Sequence, residues 1–320
     1  SIDLDPETLV TGVHISSDSE EKTCCIHMTD LGMNGSEFIP ETQQDHSLAS
    51  AMNFEDLESF MTWNSSQKSG VHDVAELCGG AGDTGTLLVR RGYKGGPNFD
   101  AVCGIDLLKP CNKSYFLRYL NECKPTILIM STPCTGMKGF SALNRSINPA
   151  AWRRSRKVSV PLAKLGGLVA LIQMKEGRHF VAEHPQGSAM WSLAEWAQLD
   201  QRFTVHKVDV HQCMLGLRGP RSKQPIRKPT TFWASDARLV ARLHGLRCDG
   251  RHVHADLAAT TPGKPDDKAK HAARWPLPLC RRIAAGCEEV IREHHRQKKN
   301  LKDKLYLLVT LLVKIRLLEK

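Results

Sequence analysis

The 320-residue sequence lacks a long hydrophobic run, internal repeats and regularly spaced cysteines. Its longest apolar run, at residues 305–313, is interrupted by Thr310 and is too short to span a bilayer. The eleven cysteines do not follow the spacing of a secreted disulfide scaffold, and no signal peptide is recognisable. We therefore expect an intracellular protein, nuclear or otherwise, that is neither secreted nor bound to a membrane.

Negative charge is scarce in most of the chain because it is concentrated at one end. Residues 1–70 contain 13 Asp or Glu and 2 Lys, a net charge of −11. Residues 71–320 contain 42 Lys or Arg and 21 Asp or Glu, a net charge of +21. The acidic segment is polar and aperiodic, which predicts a flexible arm. The basic remainder is typical of a protein that binds nucleic acid, although a solubilising surface charge is the alternative.

From residue 72 onward, strand-like and helix-like segments alternate. Strands are predicted at residues 72–77, 101–107, 126–130, 179–183, 204–210 and 230–234. Helices are predicted between them at about residues 84–91, 113–122, 160–175 and 188–200. Such repeats predict an α/β fold with a doubly wound, mostly parallel sheet. We assign this domain to residues 71–240. A basic, partly helical extension follows at 241–320, with one helix from about 279 to 296.

A glycine-rich turn joins the first predicted strand to the first helix. Residues 76–83 read ELCGGAGD, in which Gly80 and Gly82 permit a tight turn and the close approach of a ligand. Acids on either side of the glycines, Glu76 among them, favour a cationic or zwitterionic ligand such as S-adenosylmethionine over a pyrophosphate. Asp106, after the second predicted strand, is suited to bind ribose hydroxyls. A nicotinamide cofactor and a purely structural turn are the alternatives.

A cysteine follows the third predicted strand, in the sequence STPCTGMKGFS. The apolar run at 126–130 predicts a buried parallel strand. The Thr-Pro pair after it is expected to turn Cys134 out at the carboxyl end, where open α/β sheets bind ligands. Cys134 is therefore a candidate nucleophile, and a small buried residue in a turn is the alternative. Lys138, Arg145 and Arg154 are candidates for lowering the pKa of its thiol.

In their order and spacing these motifs resemble those of the DNA cytosine-5 methyltransferases, over about residues 71–240. The ELCGGAGD turn is similar to the first motif of that family, and Asp106 to its acid after the second strand. Pro133-Cys134 resembles the Pro-Cys nucleophile, and Phe140-Ser141 the Phe-Ser that follows it. HFVAEHP, which contains Glu183, is similar to the strand that ends in Glu-Asn-Val. KPTTFWAS at 228–235 resembles the last strand of phage and mobile-element members.

The resemblance implies transfer of a methyl group from S-adenosylmethionine to C5 of cytosine in DNA. In that chemistry Cys134 adds to C6 of a base taken out of the helix, and a protonated Glu183 donates to the base. The residues expected to bind the cofactor are Glu76, Gly80, Gly82 and Asp106. The residues expected to bind the substrate are Ser141, Gln212, Arg218 and Arg227.

The sequence also departs from the family pattern. Thr132 replaces a proline, and His184-Pro185 replaces Asn-Val. The Gln-x-Arg-x-Arg strand that normally contacts cysteine and base is missing, and only Gln212 remains of it with nearby arginines. The alternative function is therefore a catalytically inactive, nucleic-acid-binding module of a mobile element, built on a methyltransferase fold.

Possible metal ligands occur close together after residue 247. Cys248, His252 and His254 are near one another in sequence, with Cys280 and Cys287 downstream. Zinc takes four nitrogen or sulfur ligands, but this spacing matches no standard finger. A polar turn accounts for the group equally well, so the sequence assigns no metal site.

Overall fold

The computed structural model describes residues 71–137, 145–255 and 268–318. In these ranges the protein has an α/β fold around a six-stranded sheet, which confirms the predicted fold class. The strands are β1 (Val74–Leu77), β2 (Gly95–Phe99), β3 (Ile127–Met130), β4 (His179–Pro185), β5 (His206–His211) and β6 (Pro229–Ala234). The predicted acidic arm and Ser141 lie outside the described residues.

The sheet is mixed, with the strand order β2-β1-β3-β4-β6-β5. The first four strands in this order are parallel, whereas β6 runs antiparallel to both of its neighbours, β4 and β5. The expectation of a mostly parallel sheet therefore fits β2, β1, β3 and β4 but not the pairings of β6, and the sheet as a whole is mixed. The reason lies in residues 212–228, which join β5 to β6 with a short 3-10 helix (Gln212–Leu215) and no α-helix. Antiparallel neighbours need no helical crossover.

Helices cover both faces of the sheet. They are α1 (Asp83–Arg90), α2 (Pro110–Cys123), α3 (Pro149–Lys175), α4 (Ala194–Arg202), α5 (Ala237–Val240), α6 (Lys268–Ala273) and α7 (Leu277–Leu318). In β3, Leu128 and Met130 pack with α2, α3 and α4, whereas Ile127 and Ile129 pack with α1, α5 and α7. Because both faces of β3 are buried, its sequence is apolar throughout.

The second strand does not lie where the sequence predicts it. β2 is the edge strand Gly95–Phe99, and the predicted strand at 101–107 is wrong, because Ala101–Cys103 forms a 3-10 helix. Asp100 caps that helix by accepting a hydrogen bond from the Val102 N–H at 3.0 Å. The sequence GGPNF has little strand propensity. An edge strand tolerates its proline, and pairing with β1 determines its conformation.

Helix α3 begins at Pro149, whereas the sequence predicts its start near residue 160. Pro161 lies inside the helix and does not mark its beginning. The side chain of Asn148 caps its first turn by accepting from the Ala151 N–H. The basic residues at 153–157 are therefore helical and do not form a loop. By length and composition α3 is apolar enough to cross a membrane, but 56% of its most apolar window is buried in the fold. A core helix has the same property.

Helix α7 contributes to the core with its first turns. Leu279, Ile283, Cys287 and Ile291 are fully buried in the same cluster as α1, α5 and one face of the sheet. The close packing depends on Gly286, where a Cβ would lie 2.5 Å from the Arg238 carbonyl oxygen of α5. The predicted helix at 279–296 is confirmed, and it continues to residue 318 with exposed apolar side chains over 305–312.

Candidate active site at the carboxyl edge of the sheet

The strand order changes direction at β1, because β2 lies on one side of β1 and β3 on the other. In open α/β sheets, the crevice outside the carboxyl ends of the strands at such a point is where ligands bind. Two turns border this crevice, at residues 78–82 after β1 and at residues 131–137 after β3. They begin side by side, since the Ser131 N–H donates to the Leu77 carbonyl at 3.1 Å.

The turn after β1 has the tight conformation that its glycines predict. Gly80 and Gly82 adopt left-handed φ angles of 58° and 65°. The Gly79 N–H donates to the Asn98 side chain at 3.0 Å, and the Gly80 N–H donates to the Asp100 carboxylate at 2.9 Å. Asn98 and Asp100 are site residues that sequence reasoning missed, because both flank the end of the misplaced strand β2.

Glu76 lies beneath this turn, with 5% of its surface exposed. Its carboxyl group accepts a hydrogen bond from the Gly85 N–H at 2.6 Å and so anchors the start of α1. Burial raises the pKa of Glu76 to about 8, with Asp83 and Asp100 contributing and the Gly85 hydrogen bond opposing. A Cβ at residue 79 would lie 2.0 Å from Glu76 Oε2, so only glycine fits there.

A cavity of about 40 Å³ lies between β1, β2 and α1, and Glu76, Gly82 and Asn98 contribute to its walls. This volume is of the order of a single water molecule. A nucleotide-sized cofactor would therefore have to lie over the glycine turn, outside the sheet edge, rather than in the cavity.

Asp106 does not follow β2 directly, as the sequence analysis expects. β2 ends at Phe99, so Asp100 stands in the position assigned to Asp106. Asp106 lies beyond the 3-10 helix, in the loop before α2. Its carboxylate accepts from the Leu108 N–H at 3.0 Å, and its carbonyl accepts from the Asn112 side chain. The expectation that Asp106 directly follows the second strand is therefore wrong, because Asp100 occupies that position, whereas the role of Asp106 in binding the cofactor stays a prediction.

The two predicted catalytic residues belong to neighbouring parallel strands, since Cys134 follows β3 and Glu183 lies on β4, two residues before its last residue. β3 and β4 pair in register, with Met130 opposite Ala182, so that the turn carrying Cys134 and the side chain of Glu183 belong to the same edge. The Ser131 hydroxyl joins them by donating to Glu183 Oε2 at 2.9 Å. Cys134 is partly exposed.

Glu183 forms an ion pair with Lys228, whose Nζ lies 3.4 Å from Glu183 Oε1. The exposed fractions of the two side chains are 5% and 13%. Burial by itself would raise the pKa of Glu183, but Lys228, followed by His184 and the Ser131 hydroxyl, lowers it below its usual value. A lowered pKa favours the ionised form of Glu183, which disagrees with the expectation of a protonated Glu183.

Lys228 is the functional residue that sequence reasoning missed at this end of the site. It begins the KPTTFWAS segment, which the sequence identifies only as a late strand. Because β6 is antiparallel to β4, Thr230 pairs with Pro185, and the start of β6 lies beside the carboxyl end of β4. A parallel β6 would have carried Lys228 to the opposite edge of the sheet.

Among the arginines near Cys134, Arg156 contacts its turn. Arg156 Nη1 donates to the Gly136 carbonyl at 3.3 Å, and its guanidinium lies 5.2 Å from the ring centre of Trp152. Arg145 lies over the same ring at 5.4 Å. Arg154 is exposed on α3, and Lys138 lies outside the described residues. Arg156 rather than Arg154 is thus the helix residue that contacts the turn.

The predicted substrate residues that the structure describes lie between β5 and β6 and differ in exposure. Gln212 is fully buried, where its side chain donates to Thr230 Oγ1 at 3.0 Å and its N–H donates to the Lys228 carbonyl at 3.1 Å. This arrangement supports the start of β6 and leaves Gln212 no surface for a base. Arg218 is exposed and donates to the Lys223 carbonyl, and Arg227 is also exposed.

No protein-family model matches this chain, and no curated protein matches it. Function is therefore inferred from the site itself, since a fold by itself does not specify an activity.

Proposed function

We propose that the protein is an S-adenosylmethionine-dependent methyltransferase, with the corresponding Rossmann-like fold, that methylates C5 of cytosine in DNA through a covalent adduct at Cys134. The observation that carries this proposal is the pairing of β3 with β4, which joins the Cys134 turn to a buried carboxylate at the edge beside the glycine turn. The net charge of +21 over residues 71–320 supports DNA as the substrate.

The chemistry assigns one role to each end of the crevice. The Cys134 thiolate adds to C6 of the cytosine, and the electron pair of the C5–C6 bond makes C5 nucleophilic toward the methyl group. S-adenosylmethionine supplies that methyl group when bound. A base then removes the C5 proton, the C5–C6 double bond re-forms, and the thiolate leaves.

Lys228 and Glu183 act on the polar edge of the base. Negative charge develops at N3 and O2 when the thiolate adds, and a positive donor stabilises it. Because Glu183 is ionised, we assign the donor role to the Lys228 ammonium and assign to Glu183 the acceptance of a hydrogen bond from the exocyclic amine. The target base has to leave the duplex to reach this edge.

The turn after β1 suits a cationic cofactor better than a dinucleotide. The N–H groups of Gly79 and Gly80 already donate to Asn98 and Asp100 and are not available to a pyrophosphate. At the start of α1, Arg274 pairs with Asp83 through two hydrogen bonds of 2.7 Å. The nearby Asp100 carboxylate favours the sulfonium charge of S-adenosylmethionine. Calorimetric titration with S-adenosylhomocysteine and with NAD tests this choice, and binding of NAD alone would reject it.

The test of the proposed reaction is a covalent trap. An oligonucleotide with 5-fluorocytosine should form an adduct with the protein, because fluorine at C5 cannot be lost as a proton is. The adduct should require S-adenosylmethionine and should be seen as a mass increase on a denaturing gel. Cys134→Ser should abolish it, whereas Cys111→Ser, at an exposed cysteine on α2, should retain it.

A second candidate is the inactive nucleic-acid-binding module. It is favoured by the contacts that Glu183 already makes within the protein, since Oε2 accepts from the Ser131 hydroxyl and Oε1 lies 3.4 Å from Lys228 Nζ. DNA binding in a filter assay, with no trapped adduct and no binding of S-adenosylhomocysteine, would establish this candidate and reject the enzyme. Binding of the cofactor analogue without any adduct would reject the covalent mechanism alone.

A further inference from the structure

Four possible metal ligands converge on one point away from the candidate active site. Cys213 lies in the 3-10 helix after β5, and Cys248, His252 and His254 lie in the loop that precedes α6. One ligand atom from each residue lies within 4.8 Å of those of the other three. The sequence revealed only the last three residues, because Cys213 is far upstream and reaches the loop through the tertiary fold.

The distances agree with a tetrahedral zinc site. Cys248 Sγ lies 3.6 Å from His252 Nε2 and 3.4 Å from His254 Nε2, and the two histidine ring centres are 4.5 Å apart. With Zn–S bonds of about 2.3 Å and Zn–N bonds of about 2.0–2.1 Å, ligand atoms of a tetrahedral site are about 3.3–3.8 Å apart. Small adjustments would therefore complete the coordination.

Backbone hydrogen bonds hold Cys248 and its sulfur in place. The Cys248 N–H donates to His211 Nδ1 at 2.9 Å, which attaches the loop to the end of β5. The Gly250 N–H donates to Cys248 Sγ at 3.4 Å, in a turn where Gly250 has a left-handed φ of 80°. Hydrogen bonds to a ligating sulfur orient it and stabilise its negative charge.

This part of the protein has little hydrophobic core of its own. A separate cluster contains only Leu217, Ile226, Ala255 and Ala272, and two of these four side chains are alanine. The loop at 247–255 contains no helix or strand, although the structure describes all of it. Segments that bury so little apolar surface usually depend on a metal or a disulfide for their order.

We propose that Cys213, Cys248, His252 and His254 bind one structural Zn²⁺ in a closed Cys₂His₂ site. Two thiolates and two imidazoles favour Zn²⁺ over Mg²⁺ or Ca²⁺, which prefer oxygen ligands. All four positions are filled by side chains, so the ion is structural and activates no water. The ion would take no part in the chemistry of the proposed methyl transfer.

The metal would also support the candidate active site through the chain. Cys213 follows Gln212, whose N–H donates to the Lys228 carbonyl at 3.1 Å. The zinc site therefore fixes the segment against which the start of β6 packs. Loss of the metal is expected to loosen the loop at 247–255 and, through Gln212, the position of Lys228.

Metal analysis of the full chain tests the site directly. The protein purified without chelators should contain one zinc ion per chain, as measured by elemental mass spectrometry. Cys213→Ser and His254→Ala should each weaken zinc binding by more than about 100-fold in a chelator competition. The matched controls are Cys111→Ser and His244→Ala, at exposed positions outside the cluster, and both should retain zinc.

Cobalt substitution provides a readout that does not depend on stability. The Co²⁺ form should show the intense visible bands of tetrahedral thiolate coordination. His252→Cys should keep the metal and change these bands, even if a serine variant fails to fold. A metal-free native protein, an octahedral Co²⁺ spectrum, or equal loss of zinc from the controls would overturn the proposal. A Cys213–Cys248 disulfide in protein kept under reducing conditions would also overturn it.

Discussion

Two buried glutamates belong to the carboxyl edge of the same sheet and differ in charge. Glu76 on β1 and Glu183 on β4 are each 5% exposed, so burial opposes ionisation of both. The pKa of Glu76 is raised to about 8 by burial, with two acids nearby, whereas that of Glu183 is lowered. The difference is Lys228, which pairs with Glu183 and has no counterpart beside Glu76 among the residues that the structure describes. A charge partner, rather than depth, decides which carboxyl group ionises.

The comparison divides the crevice into two chemical environments. At the glycine turn, a neutral acid at pH 7 holds the backbone of Gly85. At the Cys134 turn, an anion and a cation lie side by side. Pairs of titratable groups with pKa values displaced in opposite directions are typical of catalytic sites. The following predictions test whether these assignments are correct.

The largest expected effect comes from removing the cation. Lys228→Met leaves Glu183 buried without a charge partner, which should reduce the free energy of unfolding by about 3–5 kcal/mol at pH 7. The loss should shrink in acid, because a protonated Glu183 needs no cation. Urea unfolding at pH 7 and in acid measures this loss of stability. Lys164→Met is the control, since Lys164 and Glu195 are 3.9 Å apart and partly exposed, and it should cost less than about 1 kcal/mol.

The second prediction concerns the sign of the pH dependence. The raised pKa of Glu76 gives a contribution to stability that is complete below its unfolded value of 4.5 and is lost as the pH rises to about 8. Glu76→Gln should therefore gain stability relative to wild type over this range, by up to about 4 kcal/mol.

Glu183→Gln should behave in the opposite way. The lowered pKa of Glu183 gives stability that is present above the unfolded value and is lost as the pH falls through the folded one. The variant should therefore lose stability relative to wild type as the pH rises from acid to neutral. Unfolding curves over this pH range, with slopes of the same sign for both variants, would contradict the comparison.

A smaller effect is expected at the glycine that covers Glu76. Gly79→Ala places a methyl group 2.0 Å from Glu76 Oε2, which should cost about 1–3 kcal/mol of stability and weaken binding of S-adenosylhomocysteine. Gly245 has a left-handed φ of 76°, and a Cβ added there would have no neighbour within 4 Å. Gly245→Ala should therefore carry a backbone cost of about 1 kcal/mol without a steric clash. Thermal unfolding and calorimetry distinguish the two variants. If Gly79→Ala bound S-adenosylhomocysteine as tightly as wild type, Gly79 would not be part of the cofactor site.

The smallest predicted effect is at the link between the two turns. Ser131→Ala removes the hydrogen bond to Glu183 and should cost about 1.5 kcal/mol, because that bond has an ionised acceptor. Ser222→Ala, at an exposed serine in the β5–β6 connection, should be nearly neutral. If Ser131→Ala were also neutral in urea unfolding, the serine would not contribute to the ionised state of Glu183.

Features that depend on local sequence were predictable. The apolar segment of β3 gives the same strand in the sheet, and the left-handed glycines of the first turn follow from their lack of a Cβ. The helix near residue 280 was also predictable from local sequence. β2 was not, because GGPNF owes its strand conformation to its neighbour β1 and not to its own propensity.

The sequence by itself determined the α/β class, the glycine turn, and the positions of Cys134 after β3 and of Glu183 on β4, because each depends on residues adjacent in the chain. Only the tertiary structure decided that β6 is antiparallel, that Lys228 pairs with Glu183, and that Cys213 joins Cys248, His252 and His254. These partners are separated by tens of residues, and their approach depends on packing of the whole sheet. For the same reason the charge of Glu183 was mispredicted, since the cation that sets its pKa comes from a distant strand.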